Sequence, residues 1–257
     1  MVIISNSPLD TEALEEKYKP NNVEKEIINT LSSSDKKYYY DSLDEFVFEL
    51  RLRNEIVKSA IELDKSQLGF AVFRKSKCNE AYWERTQEGG FVLKNGAKPS
   101  DAIGDIYLNS SKYATECATA MMIIYYKALL NIYPEELFNK VFPKIHLMNW
   151  HYIDKLLKEV GYMRKRSDYL LGDRRYFSNP DVDPLTPQWK GENVIDLNGE
   201  LYYGHGIGIH NAKTIIKVLN DNRKEGAQQS AYLLDSAGRP NFKNLYDIYY
   251  KFQNPSI

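Results

Sequence analysis

The stretch Tyr113-Ala114-Thr115-Glu116-Cys117-Ala118-Thr119-Ala120-Met121-Met122-Ile123-Ile124-Tyr125-Tyr126-Lys127-Ala128-Leu129-Leu130 decides the fold. Over residues 115–130 it reads as a helix, because Cys117, Met121, Ile124 and Ala128 recur at spacings of four, three and four and share one face. Met122, Ile123 and Leu129 widen that face toward burial on all sides, which predicts a central helix. Ala118 and Ala120 allow other backbone to approach the cysteine closely. A thiol at a helix N-terminus faces backbone N–H groups without intrahelical partners, which favour its thiolate form. Glu116 sets a carboxylate beside it. A buried cysteine that merely opens a hydrophobic helix fits the same pattern.

Working outward toward the C-terminus, Pro134 starts a short helix, and residues 150–160 read as another, closed by Gly161. Between Gly172 and Gly191 the chain changes character: Pro180, Pro184 and Pro187, with Asn179, Asp181 and Asp183, predict an ordered but irregular loop. Residues 193–197 and 200–203 read as strands joined by the hairpin signal Asn198-Gly199. Gly204-His205-Gly206-Ile207-Gly208 follows, then a helix over 211–219, a third strand over 230–234 and an amphipathic or extended tail over 244–252. Toward the N-terminus, Ser42 with Glu45 caps a helix over 42–64, residues 68–74 read as a short strand, and 91–93 as another extended run before the Asn95-Gly96 turn. Pro99-Ser100-Asp101 opens a short helical turn ending near Gly104, and residues 1–32 read as a loosely packed leader. A helical first half, a central buried helix and late antiparallel strands predict an α+β fold, one helix packed on a small antiparallel sheet, within a single domain over 1–257.

Composition narrows the function. The 257 residues carry a formal charge of -1 with both signs interspersed, so no bulk bias toward nucleic acid is present. The basic run Met163-Arg164-Lys165-Arg166 reads as a solvated face. No apolar window reaches the length of a bilayer span, and residues 1–20 carry acids and prolines where a signal peptide needs a basic start and an apolar run, so a cytoplasmic start is expected. Cys78 and Cys117 are the only cysteines, too few for a disulfide framework or a cysteine-rich zinc site. Twenty tyrosines, many clustered, suit an interface or an aromatic-walled cleft, and equally a half-buried surface.

A cysteine nucleophile needs a base or charge partner from elsewhere in the chain. Of His146, His151, His205 and His210, the best placed is His205, between Gly204 and Gly206 after a predicted strand. The histidine spacings make no metal site, and Asp181 and Asp183 read as turn formers. Gly204, Gly206 and Gly208 lack a dinucleotide fingerprint, and no phosphate-loop lysine accompanies them. Cys78, among charged residues, reads as an incidental surface thiol.

Several segments, in order, carry a resemblance: Tyr113 through Met121, Leu147-Met148-Asn149-Trp150-His151, Asp181-Val182-Asp183-Pro184-Leu185, Trp189-Lys190-Gly191-Glu192-Asn193 and Tyr203-Gly204-His205-Gly206. Together they closely resemble the small protein-glutamine gamma-glutamyltransferase (transglutaminase) family of Bacillus spores, through nearly the whole chain. The resemblance implies Cys117 as nucleophile, Glu192 as its carboxylate partner, Glu116 and His205 as further active-site residues, and Trp150 and Trp189 as aromatic walls of the substrate passage. It implies a core similar to the NlpC/P60 and papain-like cysteine hydrolases, no cofactor and no metal. Its partners would be spore-coat proteins supplying glutamine and lysine, with the enzyme made in the mother-cell cytoplasm and then acting at the spore coat. In the expected reaction a Cys117 thioester forms with loss of ammonia, and backbone N–H groups near Cys117 hold the oxyanion. The alternatives are a papain-like cysteine amidase or peptidase pairing Cys117 with His205, and a structural coat protein without catalysis.

Overall fold

Alternation along two neighbouring strands fixes the centre of the molecule, whose computed structural model describes residues 1–255. In chain order the elements are β1 (Val2–Ile4), β2 (Ser7–Pro8), α1 (Thr11–Tyr18), α2 (Asn22–Ser33), β3 (Tyr38–Tyr40) and α3 (Leu43–Asp64). Then come β4 (Gly69–Phe70), β5 (Trp83–Arg85), β6 (Phe91–Leu93), α4 (Pro99–Leu108), β7 (Ala114–Thr115), α5 (Cys117–Ile132) and α6 (Glu135–Val141). The C-terminal part holds β8 (His146–Leu147), β9 (Arg174–Ser178), β10 (Gly191–Asp196), β11 (Leu201–Gly204), β12 (Gly208–Asn211), α7 (Ala212–Asn220), β13 (Tyr232–Leu233) and α8 (Phe242–Gln253).

The main sheet has the order β12-β11-β10-β9-β13, with every pairing antiparallel. Successive side chains point to opposite faces, and the burial follows that rule. Ile195 and Tyr203 join the large core built on α3 and α5, whereas Phe177, Val194 and Tyr202 pack with Ile215 and Leu219 of α7. The sheet therefore lies between the cysteine-bearing helix and α7, an α+β arrangement of helices on small sheets. Met121, Ile124 and Ala128 are fully buried on α5, as their spacing predicts. Ser42 caps α3, its hydroxyl accepting the Glu45 N–H at 3.1 Å. The hairpin turns at Gly199, whose φ of +76° suits glycine.

Four local expectations are corrected. Residues 1–32 are not a loose leader: Val2, Leu14, Ile27, Ile28 and Leu31 are buried in the main core, and β1 pairs parallel with β3. The apolar face that draws them in is carried by α2, which opens on an Asn21–Glu24 capping box. The turn at Pro99 does not stop at Gly104, because Ala102, Ile103 and Ile106 bury one helical stripe across it. Residues 150–157 form no helix, and only Lys158–Gly161 winds into a 3-10 turn. There Asp154 Oδ1 accepts the Leu156 N–H at 2.9 Å, a local bond that competes with helix. The irregular region from Gly172 hides strand β9, whose Arg174, Arg175 and Phe177 are buried.

Candidate active site

Glu116 follows β7 and is the N-cap residue of α5, with extended backbone at φ -90° and ψ 172°. Its carboxylate accepts the N–H groups of Ala118 at 2.6 Å and Thr119 at 2.7 Å, and the Thr119 hydroxyl at 2.6 Å. These are the second and third helical positions, the donors an N-cap side chain satisfies. Cys117 is thereby fixed at the first helical position, half-buried.

This corrects the expected ionisation. Two of the first-turn N–H groups that were to favour a thiolate, or to hold an oxyanion, are occupied by Glu116. Burial pushes the Cys117 thiol well above its ordinary value, the charges of Glu192 and then Glu116 push it further, and Asn193 opposes them. The resting group is a thiol, so attack requires a base. Replacing Glu116 with alanine is expected to cost about 1 kcal/mol of stability through the lost cap. The same change should lower the thiol's titration midpoint by removing a neighbouring negative charge. Thermal melting and the pH dependence of alkylation check both, and an unchanged melt would contradict the capping role.

Glu192, near the start of β10, is 2 % exposed, and its Oε1 has no hydrogen-bond partner. Burial raises its carboxyl well above the ordinary value, Glu116 adds to this, and the backbone N–H of His205 draws it down. A buried carboxyl with an unpaired oxygen, coupled by charge to a thiol, is suited to exchanging a proton. Gly204 makes its room: a Cβ there would lie 2.9 Å from Glu192 Cγ and 3.1 Å from Oε1. Gly204→Ala is expected to displace the carboxyl and reduce turnover roughly 10- to 100-fold with the fold retained. Steady-state kinetics beside a thermal melt tests this, and unaltered turnover would contradict it.

His205 is held differently. It is buried, with Nε2 3.1 Å from the Gly69 carbonyl and Nδ1 3.0 Å from the Tyr203 hydroxyl. A carbonyl only accepts, so Nε2 carries the proton and Nδ1 accepts from Tyr203. Burial lowers its pKa to about 4, leaving the ring neutral at pH 7. Both nitrogens are thus engaged away from Cys117.

The cysteine opens into a cavity of ≈ 310 Å³ lined by Phe70, Val72, Phe73, Glu116, Pro187 and Gln188. Trp189 stacks on Phe70, ring centroids 6.4 Å apart at 18°, and so backs one wall. Phe70 also lines a second cavity of ≈ 210 Å³ that includes Tyr203 and His205. Trp150 lies against the Arg174 guanidinium, 4.3 Å from ring centroid to Cζ. It follows Asn149, whose φ of +35° is unusual for a non-glycine residue and whose N–H donates to Thr119 Oγ1 at 3.2 Å. A larger groove of ≈ 630 Å³ around Phe48, Tyr246 and Tyr249 shares no residue with the Cys117 cavity and has no cysteine or histidine in its lining.

Sequence reasoning singled out neither Phe70, Arg174, Tyr176 nor Asn193 as site residues. Asn193 Nδ2 lies 3.4 Å from Cys117 Sγ, and Arg174 Nη1 donates to Asn193 Oδ1 at 2.6 Å. Tyr176 stands opposite Asn193 in the β9–β10 register, its hydroxyl pushed up to about 12 by burial and by Cys117 and Glu192. Asn193 falls inside one of the recognised segments, but nothing in its local sequence marks it; Arg174 lay in the stretch read as loop. Asp183 builds a turn as expected, accepting the Leu185 N–H at 2.8 Å, whereas Asp181 instead ties its loop to a distant one, accepting the N–H groups of Gln228 and Gln229, each at 2.8 Å. Cys78 is half-buried rather than superficial, its thiol raised to about 11 by burial. Among the described residues, no group of three or more His, Cys, Asp or Glu side chains is placed to hold a metal ion, and no helix is long and apolar enough to cross a membrane.

A family model described as protein-glutamine gamma-glutamyltransferase matches residues 1–249. A protein-glutamine gamma-glutamyltransferase of Bacillus cereus (strain 03BB102) is 42% identical over 242 residues, 93% of this chain and 86% of its own length. One from Bacillus mycoides (strain KBAB4) is 42% identical over 236 residues, covering 91% of this chain and 84% of that protein. The solved transglutaminase from Geobacillus stearothermophilus, without its C-terminal extension, superposes with a TM-score of 0.76 at 47% identity, over 81% of this chain and 98% of the other.

Proposed function

The chain belongs to the protein-glutamine gamma-glutamyltransferase family, and on that premise we propose that it forms ε-(γ-glutamyl)lysine isopeptide crosslinks between spore-coat proteins, releasing ammonia. The observation that carries the residue roles is the buried, unpaired Glu192 carboxyl coupled by charge to the Cys117 thiol. Glu192 takes the thiol proton as Sγ bonds to the carboxamide carbon of a protein-bound glutamine, whose carbonyl electrons move to oxygen. The tetrahedral adduct collapses with cleavage of the carbon–nitrogen bond, the proton passes to the leaving nitrogen, and ammonia departs. A neutral lysine amine then attacks the thioester. It loses a proton to Glu192 as the new amide bond forms, the carbon–sulfur bond breaks, and the thiol is restored with that proton. Phe70, with Trp189 stacked on it, screens the thioester from water, and Trp150 takes part through Arg174. His205 keeps the Gly69 segment in place, which disfavours a papain-like Cys–His hydrolase. Glu116 contributes the helix cap and a negative charge at the cavity wall.

On this reading the cysteine-bearing helix and antiparallel sheet are kin to NlpC/P60 and papain-like cores, residues 1–257 act as one catalytic domain, and no metal or cofactor takes part. The protein works first in the mother-cell cytoplasm and then in the spore coat. The test is mass spectrometry of a glutamine-rich protein incubated with the enzyme and a primary amine, without added metal. Amine incorporated at glutamine with loss of ammonia supports the proposal. Conversion to glutamate alone would replace it with hydrolysis, and no change in substrate would overturn it.

A further inference from the structure

Arg174 is a cation held where cations are costly. It is 3 % exposed, and no carboxylate lies within ion-pair distance of it among the described residues. Neutral acceptors satisfy it instead: Nε donates to the Val160 carbonyl at 2.7 Å, Nη2 to the Gly161 carbonyl at 3.1 Å and Nη1 to Asn193 Oδ1 at 2.6 Å. The Trp150 ring covers its face. The two other arginines buried near it, Arg53 and Arg175, each have a carboxylate partner. Arg174 alone keeps its charge uncompensated, one side chain away from the nucleophile.

The orientation of Asn193 follows from donor chemistry. A guanidinium has no acceptor, so the amide must turn its oxygen to Arg174 and its NH₂ group away. That NH₂ group is the one 3.4 Å from Cys117 Sγ. We propose that Arg174 is a positioning residue of the reaction: it locks and polarises Asn193, whose amide donates to the sulfur when Cys117 becomes a thiolate. The cysteine otherwise faces two carboxylates, Glu192 and Glu116, which oppose a negative sulfur. The Arg174–Asn193 pair is the counterweight, and it presents to the sulfur the partial positive charge of a polarised amide N–H, with the full cation set one residue back. The chain Trp150–Arg174–Asn193–Cys117 also gives the first tryptophan a part in the site without requiring it to line the cavity. This rests on the thioester chemistry proposed above for Cys117.

The test follows alkylation of Cys117 by iodoacetamide against pH, which needs no transferase activity, together with amine incorporation and thermal melts. The variants are Asn193→Ala, Asn193→Asp, Arg174→Lys and the Arg174→Lys/Asn193→Ala double substitution, each in a Cys78→Ala background. Asn193→Ala is expected to raise the thiol's titration midpoint by about one pH unit and to lower kcat roughly 100-fold, with KM within about threefold. Arg174→Lys should shift both in the same direction by less, and should add nothing in the double variant. Asn193→Asp keeps an acceptor for Arg174 but loses the donor, so it should melt like the parent while raising the midpoint further. A parent-like midpoint in folded Asn193→Asp, or Arg174→Lys effects that multiply with those of Asn193→Ala, would overturn the inference. If Arg174→Lys does not fold, the Asn193→Asp titration still decides. Failure of the parent enzyme to incorporate amine would instead remove the transferase reading and leave the titration result standing.

Discussion

Replacement of Cys117 by alanine is expected to abolish amine incorporation, a loss of at least about 10³-fold, while the protein melts close to wild type. In the proposed reaction this sulfur is the atom that bonds the acyl group, and no other thiol approaches the ≈ 310 Å³ cavity, since Cys78 is absent from its lining. The fold tolerates the change because the start of α5 is organised by Glu116, whose carboxylate takes the Ala118 and Thr119 N–H groups. Alanine is also a good helix former at that position. The substitution removes one polarizable atom from a half-buried site and costs the weak Asn193 contact, together worth no more than about 1 kcal/mol. Cys78→Ala is the matched control and should retain full activity. Amine incorporation by folded Cys117→Ala, or its loss in Cys78→Ala, would assign the chemistry to the wrong thiol. Normal behaviour of Cys117→Ala in coat assembly, with no covalent labelling of that thiol in the parent, would return the structural coat-protein alternative.

What could be read in advance was what depends on short-range pattern. The i, i+4, i+7 apolar spacing from Cys117 predicts α5, the Ser42–Glu45 pair predicts the start of α3, and Asn198-Gly199 predicts the β10–β11 hairpin; each is present. The failures share a cause in tertiary packing. Residues 1–32 look polar locally, yet Val2 and Ile27 are buried because β3 and α3 supply the missing surface. Strand β9 was invisible because two of its five residues are arginines, buried by carbonyl, side-chain and aromatic partners distant in sequence. The site divides the same way. Of the proposed catalytic pair, Cys117 was suggested by its place at a helix start and Glu192 by the family resemblance alone. The weight borne by Asn193 arises because β10 carries it to α5, and that of Phe70 because β4 pairs with β7 immediately before the cysteine. His205 shows the opposite case, a glycine-flanked histidine that resembles a base by position while both of its nitrogens bond Tyr203 and Gly69.

Glu192→Gln is expected to lower kcat by about 10²- to 10⁴-fold, far more than His205→Asn, which should act mainly on stability. The two substitutions remove different things. Glutamine keeps the size of Glu192 and takes away the proposed proton acceptor. Asparagine at His205 breaks buried hydrogen bonds to Tyr203 and Gly69, a loss of about 1–3 kcal/mol in the melt, with a smaller fall in turnover as the Gly69–Phe70 strand loosens. The pH dependence separates them further. Because the Glu192 carboxyl is raised above its ordinary 4.5, the ascending limb of kcat/KM in the parent should lie at higher pH than an exposed glutamate titrates, and Glu192→Gln should erase it. Linkage fixes the sign for stability: the folded state binds this proton more tightly than the unfolded chain does. Stability from this group is therefore fully present below the unfolded value and declines as pH rises through the folded one. Glutamine cannot ionise, so the variant should melt higher than the parent at neutral and alkaline pH and lose that advantage toward pH 4, an opposed change in activity and stability that repacking alone would not produce. The reverse ranking, with His205→Asn the more severe in kcat at equal foldedness, would transfer the role of base from Glu192 to His205.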